Sequence, residues 1–223
     1  MLAAEATILL ARGGLDVLAI DADLERGTLH YRLDLPLNGN TFAITDILNV
    51  LEDPPGELLQ NAISRCPSGA GVLPASARPC RASPDEGTAV SLVDSLSQHF
   101  DRVIIDTPTS SDPFTRGLLA RCDIVVLVVT PELTCLGSAR RALEDIVTRP
   151  GGGRPIMLVV NRSMSSQDVI TRDDIETFLG IRAAAFLPED TARCRRLTDA
   201  CKPLSSERSP LASSVLALVR DLT

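Results

Sequence analysis

Carboxylates stand at the ends of short apolar runs in this sequence, and that placement suits a divalent cation. Val103, Ile104 and Ile105 form a β-branched run with no polar partner face, the pattern of a strand covered on both sides in a parallel sheet, and Asp106 closes it. Residues 16–20 (D-V-L-A-I) read as an earlier strand, with Asp21-Ala22-Asp23 at its carboxyl end. Ligands in α/β sheets bind beyond the carboxyl ends of the strands, so all three acids face one crevice. Carboxylate oxygens there would hold Mg²⁺ directly or through water. Each acid also has a plainer reading. Asp106 caps a helix or opens the turn before Pro108, and Asp21 with Asp23 makes an Asp-rich turn ahead of Gly27.

The same edge collects other polar residues. Thr130-Pro131-Glu132 follows the most hydrophobic strand, residues 124–129; Asn161-Arg162 follows residues 156–160; Pro188-Glu189-Asp190 follows residues 183–187. One such position is a turn, but repetition along one sheet edge is what a nucleotide site looks like. Gly151-Gly152-Gly153 is followed by no Lys-Ser/Thr and leads into a strand, so it reads as a loop. The six cysteines include no C-x-x-C pair, and His30 and His99 are too scattered for a metal site. The cysteines read as core or surface thiols of a reducing, cytoplasmic compartment. There is no G-x-S-x-G and no dinucleotide fingerprint. A net charge of −7, with no Trp and one Tyr, argues against a surface that grips nucleic acid broadly or stacks single strands.

The elements that must position these residues alternate. Residues 1–12 form an uncapped helix stopped by Gly13-Gly14; residues 24–40 read as loop, 44–51 and 56–64 as short helices, 70–74 as a strand and 76–86 as a polar loop. A helix over 88–99, with Val90, Leu92, Val93 and Leu96 inward, delivers the chain into the strand ending at Asp106. Helices over 114–121, 136–147, 173–179, 191–201 and 210–222 separate the later strands. Six strands alternating with helices predict an α/β fold, a three-layer, doubly wound and mostly parallel sheet, in one domain over 1–223. The stripe Leu211, Val215, Leu218, Val219, Leu222 carries one basic neighbour, Arg220, so the last helix is expected to dock on its own core, with membrane contact at most peripheral. Arg193, Arg195, Arg196, Lys202 and Arg208 set five positive charges against Asp199 and Glu207, either a solvated face or a modest phosphate-contact surface.

With these pieces in order, the sequence resembles the MinD/ParA-type deviant-Walker P-loop ATPases, and within them the CpaE/TadZ-like proteins of pilus assembly. The stretches that carry the likeness are D-V-L-A-I-D-A-D-L-E-R-G, V-I-I-D-T-P, D-I-V-V-L-V-V-T-P-E-L, V-V-N-R and L-P-E-D leading to K-P-L. The resemblance implies ATP and Mg²⁺ as cofactors. Asp21 and Asp23 match the paired switch aspartates, with Asp23 positioning the attacking water and Asp21 also near the metal. Asp106 matches the Walker B metal residue. Asn161 matches the residue that reads the adenine edge, with Arg162 beside it. Thr130, Pro131, Pro188, Glu189 and Asp190 would complete the nucleotide wall. It further implies an ATP-dependent homodimer acting as a nucleotide-switched positioning protein with pilus, cell-pole or septal partners. DNA partitioning is the competing role.

One departure is large. The family's strand and K-G-G-x-G-K-T/S loop have no counterpart, and Met1-Leu2-Ala3-Ala4-Glu5 aligns with the helix that follows that loop. The single lysine, Lys202, lies far past the adenine-side motif. The sequence is therefore expected to be N-terminally incomplete, its ATP binding defective as it stands. Retention of Asp21, Asp23, Asp106 and Asn161 favours that reading over a degenerate, non-hydrolysing scaffold.

Overall fold

The computed structural model describes residues 1–37, 41–48, 63–75, 84–148, 153–163 and 169–222. They fall into two compact units, Met1–Arg121 with Arg195–Ser206 and Cys122–Cys194 with Glu207–Thr223. Both are α/β, and their strands run mostly parallel.

In the first unit, the apolar run before Asp21 forms the innermost strand. β1 (Val17–Asp21) lies between β3 (Gly71–Leu73) and β4 (Arg102–Asp106), parallel to both, and β2 (Ser64–Arg65) pairs antiparallel with β3. Every residue of β1 is buried, as expected of a strand with neighbours on both edges and both faces. Helices α1 (Leu2–Arg12), α4 (Glu86–Ser97) and α5 (Pro113–Arg121) and the short α2 (Leu29–Arg32) and α3 (Ile44–Leu48) complete the unit. Leu18, Ile20, Ile44, Leu73, Leu92, Leu96, Phe114 and Leu118 form its core. Asp85 caps α4 by accepting the Thr88 N–H, and Asp112 accepts the Thr115 N–H at the start of α5. Between these helices the approach is so close that a Cβ on Gly117 would lie 2.4 Å from the Glu86 carbonyl oxygen. Buried Glu5 of α1 accepts the N–H groups of Leu204 and Ser205, fixing the 3₁₀ turn Leu204–Ser206.

In the second unit, β5 (Val125–Val129), β6 (Ile156–Ser163) and β7 (Ala183–Pro188) pair in that order, all parallel. Val129, Leu136, Leu143, Leu158, Val160, Ile175 and Leu179 pack between the sheet and helices α6 (Leu133–Thr148) and α7 (Arg172–Leu179). Helix α8 (Thr191–Asp199) follows β7, and α9 (Pro210–Arg220) packs on β7 with Leu211, Val215, Leu218 and Val219 buried. That is the self-docking expected of the apolar stripe.

The α/β class and the alternation stand as the sequence predicts, with local corrections. There are seven strands among the described residues, because the two-residue β2 carries no periodic signal. The stretch expected to be loop over 24–40 contains α2. Ala89, not Val90, joins Leu92, Val93 and Leu96 in the buried face of α4. Val103, Ile104 and Ile105 are half-buried where full cover was expected; among the described residues β4 pairs with β1 alone, so one of its edges is not laddered. Most of the helix expected over 56–64 and of the loop over 76–86, and Gly151-Gly152, lie outside the described residues.

Candidate functional site: a carboxylate edge

The register of β1 on β4 places Asp21 directly opposite Asp106, and the Ala22 N–H extends the ladder to the Asp106 carbonyl at 2.8 Å. Two carboxylates thus end two adjacent parallel strands at the edge where α/β folds bind ligands. The chain then turns sharply. Asp23 Oδ1 accepts the N–H groups of Glu25 (3.3 Å) and Arg26 (3.0 Å), an Asx-type turn, and its carbonyl accepts the Gly27 N–H at 2.8 Å.

The three acids differ in what they have left to offer. Asp21 is 1% exposed, with Oδ2 accepting the Leu29 N–H at 2.9 Å and Oδ1 the Asp23 N–H at 3.3 Å. It is the clamp that starts α2. Gly27 packs against it so closely that a Cβ there would stand 2.5 Å from Asp21 Oδ2 and 2.3 Å from the Ala75 Cβ. Asp23 is half-buried, and no hydrogen bond from a described residue reaches its Oδ2. The half-buried Asp106 carboxylate likewise accepts no hydrogen bond from a described residue.

Burial pushes the Asp21 carboxyl up to about 6; the Leu29 N–H opposes this and the Asp106 charge adds to it. Asp106 is raised too, first by burial and then by Asp23, against the chain's amino terminus and the Arg32 guanidinium. A cation at this edge would relieve both. Arg32, which the sequence did not single out, supplies positive charge to Asp106 while its Nη1 donates to Thr198 Oγ1 at 2.8 Å. No spacing rule marks it, since its role comes from the clamp that positions α2.

In the second unit, the strand ends bring together the remaining sequence-predicted residues. Val129 is opposite Val160, the pair just before Thr130 and Asn161 in the two strands, and Ser163 is opposite Pro188. Asn161 and Arg162 belong to β6 itself, not to the turn after it. Asn161 Oδ1 accepts the Arg162 N–H at 3.0 Å, and exposed Arg162 holds a left-handed backbone, φ 56°, that a non-glycine residue seldom adopts without a local constraint. Pro131 follows the Thr130 whose N–H donates to Cys135 Sγ at 3.3 Å. Glu189 and Asp190 have local work. Glu189 accepts the Thr191 hydroxyl at 2.9 Å, and Asp190 caps α8 and accepts Arg193 Nε at 2.7 Å.

The donor set fits Mg²⁺, with hard carboxylate oxygens of Asp106 and Asp23 unspent and the charge of Asp21 behind them. It does not fit a triphosphate. The glycine of this edge is filled by Asp21 and Ala75, and the one lysine, Lys202, is on an exposed stretch after α8. Among the described residues no group of three or more His, Cys, Asp or Glu side chains would ligate a metal by itself, so water would complete a cation's shell.

The family model described as cellulose biosynthesis protein BcsQ matches residues 7–164. The septum site-determining protein MinD of Thermotoga maritima is 27% identical over 184 residues, which are 81% of this chain and 66% of that protein. This chain therefore spans about two-thirds of that relative's length. Among solved structures, a ParA family ATPase from Chlorobium tepidum TLS superposes with TM-score 0.84 at 20% identity, covering 100% of this chain and 93% of that one. The septum site-determining protein MinD complexed with Mg-ADP from Pyrococcus horikoshii OT3 gives 0.82 at 21%, covering 99% and 88%. At such identities the structures speak for the fold alone.

Proposed function

The chain belongs to the BcsQ family of MinD/ParA-type P-loop ATPases, and on that premise we propose that it is a nucleotide-switched positioning protein. The observation that carries the reading is the register pairing of Asp21 with Asp106, with Asp23 in the loop that Asp21 clamps. Asp106 is the metal carboxylate, Asp23 faces the reacting end, and Asp21 acts mainly by holding the switch loop and adding charge. Asn161 and Arg162, with Thr130, Pro131 and Pro188, form the base side. Glu189 and Asp190 border it while capping α8.

The cargo is an assembly at the cell envelope. The motif order favours a CpaE/TadZ-like pilus or polar partner, and the likeness to MinD proteins supports septal placement as the alternative. In a protein that joins a phosphate loop to these residues, the working form is a homodimer closed by nucleotide and recruited to a pole or to the inner membrane surface. DNA partitioning is less favoured, because Arg193 is closed by Asp190 and Glu207 at 2.7 and 2.6 Å, which removes one cation from the basic stretch. A non-hydrolysing scaffold is the second reading, supported by the structural use of both Asp21 oxygens.

These 223 residues contain no glycine-rich loop followed by Lys-Ser/Thr, so they leave the triphosphate's charge uncradled. Isothermal titration of this chain with ATP and Mg²⁺ is expected to show little heat. Binding on the order of micromolar, about 8 kcal/mol, would overturn that expectation.

A further inference from the structure

We infer that Arg32 is a built-in counter-cation of the carboxylate edge, competing with a divalent ion for the charge of Asp106 and so setting how tightly the edge holds that ion. The inference rests on the reading of this edge as a cation site and names what regulates it. Its geometry begins at the clamp. Asp21 stands opposite Asp106 across β1 and β4, and its Oδ2 accepts the N–H of Leu29, the first residue of α2, at 2.9 Å. Arg32 follows one turn later, and residues three apart share a helix face, so it emerges on the side of α2 that carries buried Leu29. Its Nη1 then donates to Thr198 Oγ1 at 2.8 Å, across 166 positions of sequence. Thr198 belongs to the first unit, as α2 does. The side chain is thus held at both ends, its backbone through the Asp21 clamp and its tip through Thr198.

The partner at the tip decides what the charge can do. A carboxylate in the place of Thr198 would cancel the guanidinium, whereas a hydroxyl positions it and leaves it positive. Arg32 makes no ion pair with a described residue, and its remaining N–H donors are unspent among them. Other arginines are placed differently. The Arg26 side chain, in the same loop, is 84% exposed beside Glu25, and Arg65, Arg121 and Arg193 are each closed by a carboxylate. Arg32 is half-buried, where solvent ions screen its field less. That field reaches Asp106: burial raises the carboxyl, and the chain's amino terminus and then Arg32 act against it. Asp106 accepts no hydrogen bond from a described residue, so nearby positive charge is what supports its ionised form. A divalent ion at Asp106 would meet the same charge and be repelled by it. With the edge empty, Arg32 lowers the cost of keeping the acids together; with the edge filled, it lowers affinity.

Electron paramagnetic resonance of free Mn²⁺, standing in for Mg²⁺, tests this on the whole chain. Arg32→Gln removes the charge and keeps an amide that can donate to Thr198, with the parent's circular dichroism and melting temperature as its control. A unit charge acting on a divalent ion through solvent-screened protein is worth about fivefold in affinity, and a gain of that size is the expected result. Raising KCl from about 0.02 M to about 0.2 M should shrink the difference, because salt screens a Coulomb effect and not a packing one. Arg32→Lys keeps the charge and loses the planar fork, so it should stay within about twofold of the parent. Thr198→Val lets the guanidinium leave the edge and should give part of the same gain; it carries the test if the glutamine variant folds poorly. Equal Mn²⁺ affinity in the parent and Arg32→Gln, with binding still lost in Asp106→Ala, would overturn this inference and leave the cation site standing. No binding by the parent, or equal binding by Asp106→Ala, would overturn both. A gain untouched by salt and matched by Arg32→Lys would make Arg32 a packing residue, which also overturns the competition.

Discussion

At Asp21, burial and hydrogen bonding pull the carboxyl in opposite directions, and burial wins. Its folded value is about 6, against about 3.9 in an unfolded chain. Below about pH 4 both states hold the proton and the difference vanishes. Between about pH 4 and 6 the unfolded chain releases it while the folded chain keeps it, so stability falls as pH rises through that window. Above it both states are ionised and the penalty is complete. Thermal melts of the parent and of Asp21→Asn should therefore show the parent losing ground to the variant from about pH 4 to about pH 6, with a constant gap at higher pH. A gap independent of pH would mean that Asp21 titrates normally and is not desolvated. The same residue shows what sequence can and cannot reveal. An acid at a strand end was legible from the apolar run before it, but its use as a clamp was not, because Leu29 and Gly27 reach it only through the fold of the loop.

Among elements, α1 and its glycine stop follow from local propensity, and Gly14 adopts φ 95° where the helix ends. What α1 does for the fold is less local. Glu5 reaches across 199 positions of sequence to Leu204, a pairing that no periodicity encodes. Replacing Glu5 with alanine would strand the buried Leu204 N–H and the half-buried Ser205 N–H, at a cost of about 2 kcal/mol. Urea denaturation should show that loss, and amide exchange should quicken first at Leu204 and Ser205; an unchanged midpoint would assign the turn to its own apolar contact, Leu204. Short elements escaped the sequence for a related reason. A four-residue helix and a two-residue strand have no period, and both α2 and β2 exist because a longer partner holds them. β4 is the opposite case. Its V-I-I run is that of a strand with cover on both sides, and the half-burial arises because only one edge is laddered among the described residues.

For the molecule as a whole, the alternation of strands and helices was legible because buried parallel strands need continuous apolar runs, and each run ends where a polar residue can meet a ligand. Which ends cooperate was not legible, since that depends on strand order: β1 beside β4 joins Asp21 to Asp106 across 85 positions, as the register shows. On the proposed reading, this edge is a divalent-cation site with Asp106 as its principal ligand. The most direct measurement is water-proton relaxation enhancement by Mn²⁺, standing in for Mg²⁺, on the chain and on Asp106→Ala. Saturable enhancement is expected, with a dissociation constant on the order of millimolar for a site of few carboxylates. It should weaken as pH falls below about 6 and Asp21 takes up its proton, and it should be lost in Asp106→Ala. Enhancement of equal size and affinity in Asp106→Ala would contradict it.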